Sequence, residues 1–196
     1  MTLTLIARNP YTHQIGAAIA SGSDDCMGGS IYTRKDVGLV SVQAKGSAGI
    51  GEAILQQLAD GVSSSDILES LCVRDSQLDL RQILIVPFDG DIAARTGTHC
   101  VQWAGHILKE HYVLAGNMLI SDSILPAMEK TYMADMQDLM RTRLMNALRT
   151  GVAAGGDVRG HKSAGFTIIG HQPFNLKVVS TEDPVQALTE RLRSAA

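Results

Sequence analysis

The order of strand-like and helix-like stretches is the strongest constraint that this sequence places on its fold. Strand patterns come first, two helix patterns follow, and the chain continues through further strands, two more helix patterns, a last pair of strands and a C-terminal helix pattern. This order favours α+β layers, because a parallel βαβ fold alternates single strands with single helices.

Two segments near the N-terminus predict an antiparallel hairpin. Thr2 to Arg8 alternates polar and apolar residues at first, as a strand with one buried face does. Gln14 to Ser21 is a second strand pattern, and Asn9 to His13 between them is a turn signal. Because the second strand is built of small residues, we expect another layer to pack closely over it.

The remaining elements follow from apolar periodicity and from turn and cap residues. Strands are predicted at Val37 to Lys45, Gln82 to Phe88, Ile92 to Arg95, His111 to Leu119, Ala164 to Gly170 and Leu176 to Ser180. Helices are predicted at Ile50 to Gly61, from the cap Ser63 to Leu71, from Ser121 to Leu148 with a break near Ala134, and from the cap Asp183 onward. Gly22 to Lys35 is polar and contains glycine, and we expect an irregular loop there.

Length, charge and cysteine content narrow the classes of function. The 196 residues and the net charge of -3 suit one domain over residues 1–196, and weak, scattered charge is untypical of a nucleic-acid-binding surface. No apolar run approaches the roughly 20 residues of a membrane span, and the sequence enters a strand pattern without a basic leader. The three cysteines, Cys26, Cys72 and Cys100, lack CxxC spacing and are typical of reduced thiols. We therefore expect a cytoplasmic protein.

A glycine-rich segment, Ala153 to Gly165, joins the long helix pattern to a strand pattern. Gly155 and Gly156 can close the helix in the left-handed conformation. Five polar or charged residues then follow within seven positions: Asp157, Arg159, His161, Lys162 and Ser163. One interpretation is a capped helix end with a solvated turn. The other is a loop that presents a carboxylate and cations at the mouth of a pocket.

Thr2 is the sharpest candidate for a catalytic residue. Removal of Met1 would give the chain an N-terminal threonine whose hydroxyl is a potential nucleophile. The free α-amine titrates near pH 8, so a neutral fraction exists at pH 7 that can act as the base. The alternative is that Met-Thr begins this chain by chance.

Two further interpretations concern cysteine and histidine. Cys100 and His106 could form a thiol–imidazole pair of a cysteine hydrolase, although a buried structural cysteine is the competing interpretation. Together with His99 and His111 they could also be regarded as a metal cluster, but their spacing matches no standard zinc pattern. We expect no metal and no other cofactor.

Three polar residues at strand ends complete the set of candidates. Gln43 and Lys45 lie at the end of one predicted strand, where a lysine beside a nucleophile could lower the pKa of that nucleophile. Asn117 follows another strand among glycines and could donate its amide to an oxyanion. A solvated strand end and a turn residue are the corresponding structural interpretations.

Several motifs, taken in order, resemble a known family. They are Thr2 to Pro10, Gly16 to Ser21, Trp103 to His106, Gly116 to Leu119, and Ala154 to Gly160 with Ser163 and Ala164. The chain resembles the bacterial family known as domain of unknown function 1028, whose members are described as N-terminal nucleophile (Ntn) hydrolases. The resemblance covers nearly the whole chain, and the last two motifs are its most specific parts.

The resemblance implies a four-layer αββα sandwich, with two antiparallel sheets between helix layers, and an amide or peptide-like bond as the substrate. Thr2 would fill the position of the nucleophile, and Lys45 lies about where related enzymes keep a helper lysine. Asp157, Arg159 and Ser163 match the loop motif, and Asn117 matches the motif before it. The reaction class comes from the likeness in fold.

The sequence therefore leads to one main hypothesis and two alternatives. The main hypothesis is an Ntn-type hydrolase of a small-molecule amide, with the catalytic residues Thr2, Asn117, Asp157 and Lys45 and the substrate-binding residues Ser21, Gln43, Trp103, His106, Arg159 and Ser163. The first alternative is a small-molecule-binding protein without catalysis on the same fold. The second is a cysteine hydrolase that uses Cys100.

We expect a homodimer, since symmetric pairs are the commonest oligomers, and no nucleic-acid or membrane partner.

Overall fold

Ten strands in the described part of the chain form two antiparallel sheets. The computed structural model describes residues 2–156, 160–179 and 182–194. The strands are β1 (Thr2–Asn9), β2 (Gln14–Ser21), β3 (Ile31–Arg34), β4 (Gly38–Ala44), β5 (Arg81–Pro87), β6 (Ala93–Thr96), β7 (Gly105–Leu108), β8 (Tyr112–Asn117), β9 (Ser163–Gly170) and β10 (Phe174–Val179). The large sheet has the order β10-β9-β2-β1-β8-β7, and the small sheet has the order β3-β4-β5-β6.

Helices cover the outer faces of both sheets. The described helices are α1 (Cys26–Ser30), α2 (Ala48–Ala59), α3 (Ser64–Arg74), α4 (Ile124–Ala134), α5 (Met140–Ala153) and α6 (Pro184–Ser194). α4, α5 and α6 lie on the large sheet, and α2 and α3 lie on the small sheet. The result is a four-layer αββα sandwich, as the family resemblance implies. None of the described helices is long and apolar enough to cross a membrane.

Alternation along the strands sorts side chains between the layers. In β1, Leu3 and Leu5 point to the helices and belong to the core beneath α4, α5 and α6. Ile6 points the other way and packs in the core between the two sheets. Thr2 and Thr4 share that inward direction, so β1 carries its hydroxyls into the space between the sheets.

The space between the sheets is apolar at one end and polar at the other. Its apolar core contains Ile6, Ile15, Ala17, Leu39, Leu84, Val86, Phe88, Ile92, Val113 and Ala115. Towards the start of β1, the same faces of the strands carry buried polar side chains: Thr2, Thr4, Ser21, Ser41, Gln43, Gln82, Asn117 and Ser163. Because buried polar groups need hydrogen-bond partners, this end is the more costly one to build.

Small residues let α5 approach the large sheet closely, as the composition of β2 predicts. A Cβ placed on Gly16 would lie 2.6 Å from a methyl carbon of Leu144 and 2.8 Å from the sulfur of Met140. Ala18 and Ala20, on the same face of β2, belong to the core beneath α5. The prediction that a layer packs closely over this strand is confirmed.

The segment from Gly22 to Lys35 differs from the prediction of an irregular loop. It contains α1 and β3, because the Asp25 carboxylate caps α1 by accepting a hydrogen bond of 3.0 Å from the Gly28 N–H. Cys26 and Met27 then pack against Ile19. The polar, glycine-containing composition conceals these elements, because the helix has only five residues and shows no periodicity.

The predicted caps Ser63 and Asp183 and the predicted break near Ala134 are confirmed, whereas a cap expected within Ser121 to Ser123 is not, because Ser123 makes no side-chain cap hydrogen bond at the start of α4. Ser63 Oγ accepts a hydrogen bond of 3.1 Å from the Asp66 N–H, and Asp183 Oδ1 accepts one of 2.9 Å from the Gln186 N–H. α4 ends at Ala134, and α5 begins at Met140.

Candidate active site

Four of the predicted site residues form one polar row across the large sheet. The strand register pairs Thr2 with Asn117 of β8 on one side and with Ser21 of β2 on the other. Ser21 in turn pairs with Ser163 of β9. Directly opposed residues in antiparallel strands have Cα atoms about 4.5–5.5 Å apart and share one face. The sheet thus assembles, from four segments distant in sequence, a row that faces the space between the sheets.

Thr2 lies in the middle of this row and is 5% exposed. Its Oγ1 is 3.3 Å from Ser21 Oγ, within hydrogen-bonding distance. Ser21 Oγ also accepts hydrogen bonds from the Ser23 N–H, at 3.1 Å, and from the Ser23 hydroxyl, at 2.9 Å. The Thr2 hydroxyl therefore belongs to a short chain of hydroxyl groups in which a proton can be passed between oxygens.

Ser163 holds the neighbouring loop against the row. Its hydroxyl accepts a hydrogen bond of 2.9 Å from the Cys26 N–H and donates one of 2.8 Å to the Ser23 carbonyl. Because one contact is made with Ser23, just after β2, and the other with the first residue of α1, Ser163 fixes the position of Ser23 beside Ser21. Its structural effect is to order the wall of the site.

Asn117 is fixed from the opposite sheet by a glutamine. Its Nδ2 donates a hydrogen bond of 2.8 Å to Gln82 Oε1, which also accepts one of 3.0 Å from Gln43 Nε2. Gln43 Oε1 accepts in turn from the hydroxyls of Thr4, at 2.8 Å, and Ser41, at 3.1 Å. The amide of Asn117 is held in one orientation as a result, and an oxyanion donor requires such a fixed orientation.

Gln82 Nε2 completes this buried network. It lies 2.8 Å from the Gly116 carbonyl, 3.0 Å from the Gly105 carbonyl and 3.0 Å from Thr96 Oγ1. Thr96 Oγ1 is 2.9 Å from Nδ1 of His106. His106 is thus connected to Asn117 through two intervening side chains. Desolvation lowers the pKa of the imidazole.

A pocket of about 320 Å³ brings Lys45 and Asn117 together at this end of the molecule. The residues that line it are Ala44, Lys45, Leu80, His99, Cys100, Val101, Asn117 and Met118. Ala44 has a φ of +66°, so the chain turns sharply out of β4 just before Lys45. Thr2 is not part of this lining and lies next to Asn117 in the polar row. The pocket therefore offers a cation and an amide beside a mostly apolar wall.

The sequence profile of DUF1028, described as a family of unknown function, matches residues 2–188 of this chain. The chain belongs to DUF1028. A crystal structure of the family member SPO2555 from Silicibacter pomeroyi is similar to this DUF1028 protein, with 29% identity and a TM-score of 0.90 over 99% of this chain and 85% of that chain. Anbu, the ancestral β-subunit from Yersinia bercovieri, gives 12% identity and a TM-score of 0.44, over 100% of this chain and 96% of that chain. A comparison with curated proteins found no match.

Trp103 lies on the other face of the large sheet in the DUF1028 protein. Its backbone pairs with Leu119 through hydrogen bonds of 3.2 and 3.0 Å, and its side chain packs against the core beneath the helices. Thr2 and His106 face the space between the sheets. The structure therefore does not bring Trp103 to the polar row, and its predicted substrate contact stays a prediction.

Cys100 does not have the surroundings of an activated thiolate. It is 4% exposed, and its burial raises the pKa of the thiol, whereas a catalytic cysteine needs a lowered pKa. His106, its proposed partner, is hydrogen-bonded to Thr96. Within the described residues, no group of three or more His, Cys, Asp or Glu side chains is placed to hold a metal ion. The raised pKa and the hydrogen bond of His106 to Thr96 argue against Cys100 as a nucleophile.

Two predicted site residues, Asp157 and Arg159, lie outside the described residues. Gln82 is not among the candidates that the sequence indicates, although it lies at the centre of the hydrogen-bond network in this DUF1028 protein. One pattern in the sequence could have indicated Gln82. This polar residue alternates with Leu84 and Val86, and so lies on the inward face of an otherwise apolar strand. Thr4 and Ser41 carry the same signal on β1 and β4.

Proposed function

We propose that this DUF1028 protein is an Ntn-type hydrolase that cleaves a small amide or peptide-like bond with Thr2 as the nucleophile. The observation that carries the proposal is the polar row, because it surrounds the Thr2 hydroxyl with Ser21 and Asn117 on the inward face of the sheet. Removal of Met1 supplies the α-amine that serves as the base.

In the proposed reaction, the Thr2 oxygen attacks the carbonyl carbon while its proton passes to the α-amine. Asn117 or backbone N–H groups stabilise the oxyanion of the tetrahedral intermediate. The protonated amine then gives its proton to the leaving nitrogen as the C–N bond breaks. Water, deprotonated by the same amine, hydrolyses the resulting ester and releases the acid.

The remaining predicted residues take supporting roles in this proposal. Lys45, in the same pocket as Asn117, adds positive charge that favours the anionic states of the reaction. Asp157 and Arg159 orient the N-terminus or the substrate. Gln43, His106 and Ser163 act through the hydrogen bonds that hold the wall of the site.

The first experiment is an intact mass of the protein purified from its native host. A mass lower by one methionine means that Thr2 carries a free amine and supports the proposal. Retention of Met1 removes the base and rejects the mechanism.

The second experiment measures hydrolysis of a panel of small N-acyl amides by three variants. Thr2→Ala should lower turnover by on the order of 10³-fold or more, since it removes the nucleophile, while Thr2→Ser keeps measurable activity. Thr33→Ala, which alters an exposed strand threonine, is the matched control and should leave the rate unchanged. Full activity of a correctly folded Thr2→Ala variant would contradict the proposal.

A binding function without catalysis is the second candidate, and the 5% exposure of Thr2 favours it, since a covered hydroxyl is hard for a substrate to reach. Its prediction is ligand binding, measured by calorimetry, that is indifferent both to Thr2→Ala and to removal of Met1. Ligand binding that depends on either change would count against the binding function and support the hydrolase.

A further inference from the structure

The helix α5 carries positive charge that the protein's own contacts only partly explain. Its 14 residues include Arg141, Arg143 and Arg149 and no Asp or Glu, although the whole chain has a net charge of -3. Arg141 lies in the first turn, where the partial positive charge of the helix N-terminus disfavours a cation. A nearby anion would offset this unfavourable interaction.

Arg143 has such contacts within the chain. Its Nε donates a hydrogen bond of 3.0 Å to the Tyr132 carbonyl, and its guanidinium carbon lies 4.0 Å from the centre of the Tyr132 ring. Arg141 and Arg149 form neither a hydrogen bond nor an ion pair with any other residue that the structure describes. No carboxylate of the described residues therefore lies within ion-pairing distance of either guanidinium.

These two arginines meet a third in a pocket of about 210 Å³ between α5 and α6. The residues that line it are Arg141, Thr142, Met145, Asn146, Arg149, Thr189, Leu192 and Arg193. Met145 and Leu192 are nearly completely buried and form an apolar floor. None of these lining residues is an aspartate or a glutamate, so the walls present mainly hydrogen-bond donors.

Three arginines around one small pocket give it a positive electrostatic potential that attracts anions. Guanidinium groups bind phosphoryl oxygens with two parallel hydrogen bonds, and the Thr142 hydroxyl and Asn146 amide add further donors. The volume is below the roughly 300–1,000 Å³ of pockets that hold drug-sized ligands. We propose that the α5–α6 pocket binds a small anion that carries phosphoryl groups.

The spacing of the arginines sets the number of anionic groups. Arg141 and Arg149 are eight residues apart, which corresponds to about 12 Å along a helix. Two linked phosphoryl groups span more of this distance than a single phosphate does. Pyrophosphate is therefore the simplest probe. The pocket lies on the outer helix layer and Thr2 faces between the sheets, so the two proposals stand independently.

The test is isothermal titration of the full-length protein with pyrophosphate at low ionic strength, where charge interactions are least screened. We expect saturable binding that Arg193→Gln weakens by about tenfold, the effect of losing one charged hydrogen-bonding group. Arg191→Gln is the matched control. It removes the same charge from the same helix, but Arg191 is outside the lining and donates to the Lys177 carbonyl.

Three results would overturn the proposal: no saturable binding, an equal loss in Arg191→Gln, or succinate binding as tightly as pyrophosphate. The last would show that paired carboxylates, not phosphoryl groups, are the ligand.

A second measurement, of thermal stability, tests the role of Arg141 without relying on a binding affinity. In phosphate-free buffer, Arg141→Gln should leave Tm unchanged or raise it, and a lowered Tm would mean that Arg141 has a structural role instead.

Discussion

The Arg81 side chain is buried at the start of β5, and its guanidinium donates in two directions. Nε forms a 2.7 Å ion pair with Asp75 Oδ2, in which both side chains are at most 10% exposed. Nη1 donates to the carbonyls of Lys45 and Gly46. Both carbonyls lie just after the left-handed residue Ala44 that ends β4, where the Lys45 N–H also donates a hydrogen bond of 3.1 Å to the Leu80 carbonyl. At the scale of single residues, the Asp75–Arg81 pair and this backbone hydrogen bond together hold the backbone of Lys45 beside the pocket.

Asp75→Asn should lower the free energy of unfolding at pH 7 by about 2–3 kcal/mol, since Arg81 is left buried without its counter-charge. Burial alone would raise the pKa of Asp75, but the hydrogen bonds from Arg81 and Gln77 hold it below the ordinary value. The contribution of this carboxylate is thus present above the unfolded pKa of about 4 and is lost as the pH falls through the folded pKa. Urea denaturation at a series of pH values from 7 to 3 measures it.

The control for this prediction is Asp122→Asn, at an exposed carboxylate, which should leave both stability and its pH dependence unchanged. If the free energy of unfolding of the Asp75→Asn variant falls between pH 4 and pH 3 by as much as that of the natural sequence, the loss of stability in acid comes from other groups.

At the scale of elements, the contact between α5 and the large sheet depends on the absence of a side chain. A Cβ on Gly151 would lie 2.6 Å from the Met128 sulfur and 2.7 Å from a methyl carbon of Leu3. α5 is therefore wedged between β1 and α4 at this residue. The helix that carries the arginine pocket and the strand that carries Thr2 meet here.

Gly151→Ala should lower the free energy of unfolding by about 1–3 kcal/mol, because the added methyl overpacks the core. The matched substitution Gly49→Ala, in α2, meets no atom within 4 Å and should raise stability by up to about 1 kcal/mol through helix propensity. Thermal or urea unfolding of the two variants tests whether the two substitutions change the free energy of unfolding in opposite directions. A stabilised Gly151→Ala variant would mean that α5 can shift away from β1.

At the scale of the whole molecule, two groups of hydrogen bonds join the sheets at opposite ends of the sandwich. At the polar end, Gln82 of the small sheet bonds to Asn117, Gly105 and Gly116 of the large sheet. At the far end, Arg8 of β1 donates to the carbonyls of Pro87, at 3.0 Å, and Gly90, at 2.7 Å, in the turn after β5. Apolar packing fills the space between them.

Gln82→Met should lower the free energy of unfolding by about 2–4 kcal/mol, because several buried groups lose their partner at once. It should also lower the turnover of the proposed hydrolase, since Asn117 is no longer held. Gln57→Met, at a partly exposed glutamine of α2, is the control and should change neither property. Denaturation and kcat are both measured; unchanged kcat in the destabilised variant would show that Asn117 does not depend on Gln82.

The sequence predicts most elements of this fold because each long element has its own period and its own caps. It fails at α1, β3 and β7, where five, four and four residues are too few for a period to be visible. For the site, Thr2, Ser21, Asn117 and Ser163 were each proposed separately, but only the strand register makes them one row. Gln82 was missed because its partners come from the other sheet, and such a contact leaves no local pattern.

The division of the inter-sheet space has a consequence for protein engineering. The polar row presents four side chains from four strands towards the space between the sheets, while the apolar half, beginning at Ile6, lies further along the same strands. New functional groups could be grafted at Ser21 or Asn117 without repacking the distant half. The sandwich is thus a scaffold in which a combinatorial library can vary residues of the polar end alone. The apolar core at the other end continues to hold the two sheets together.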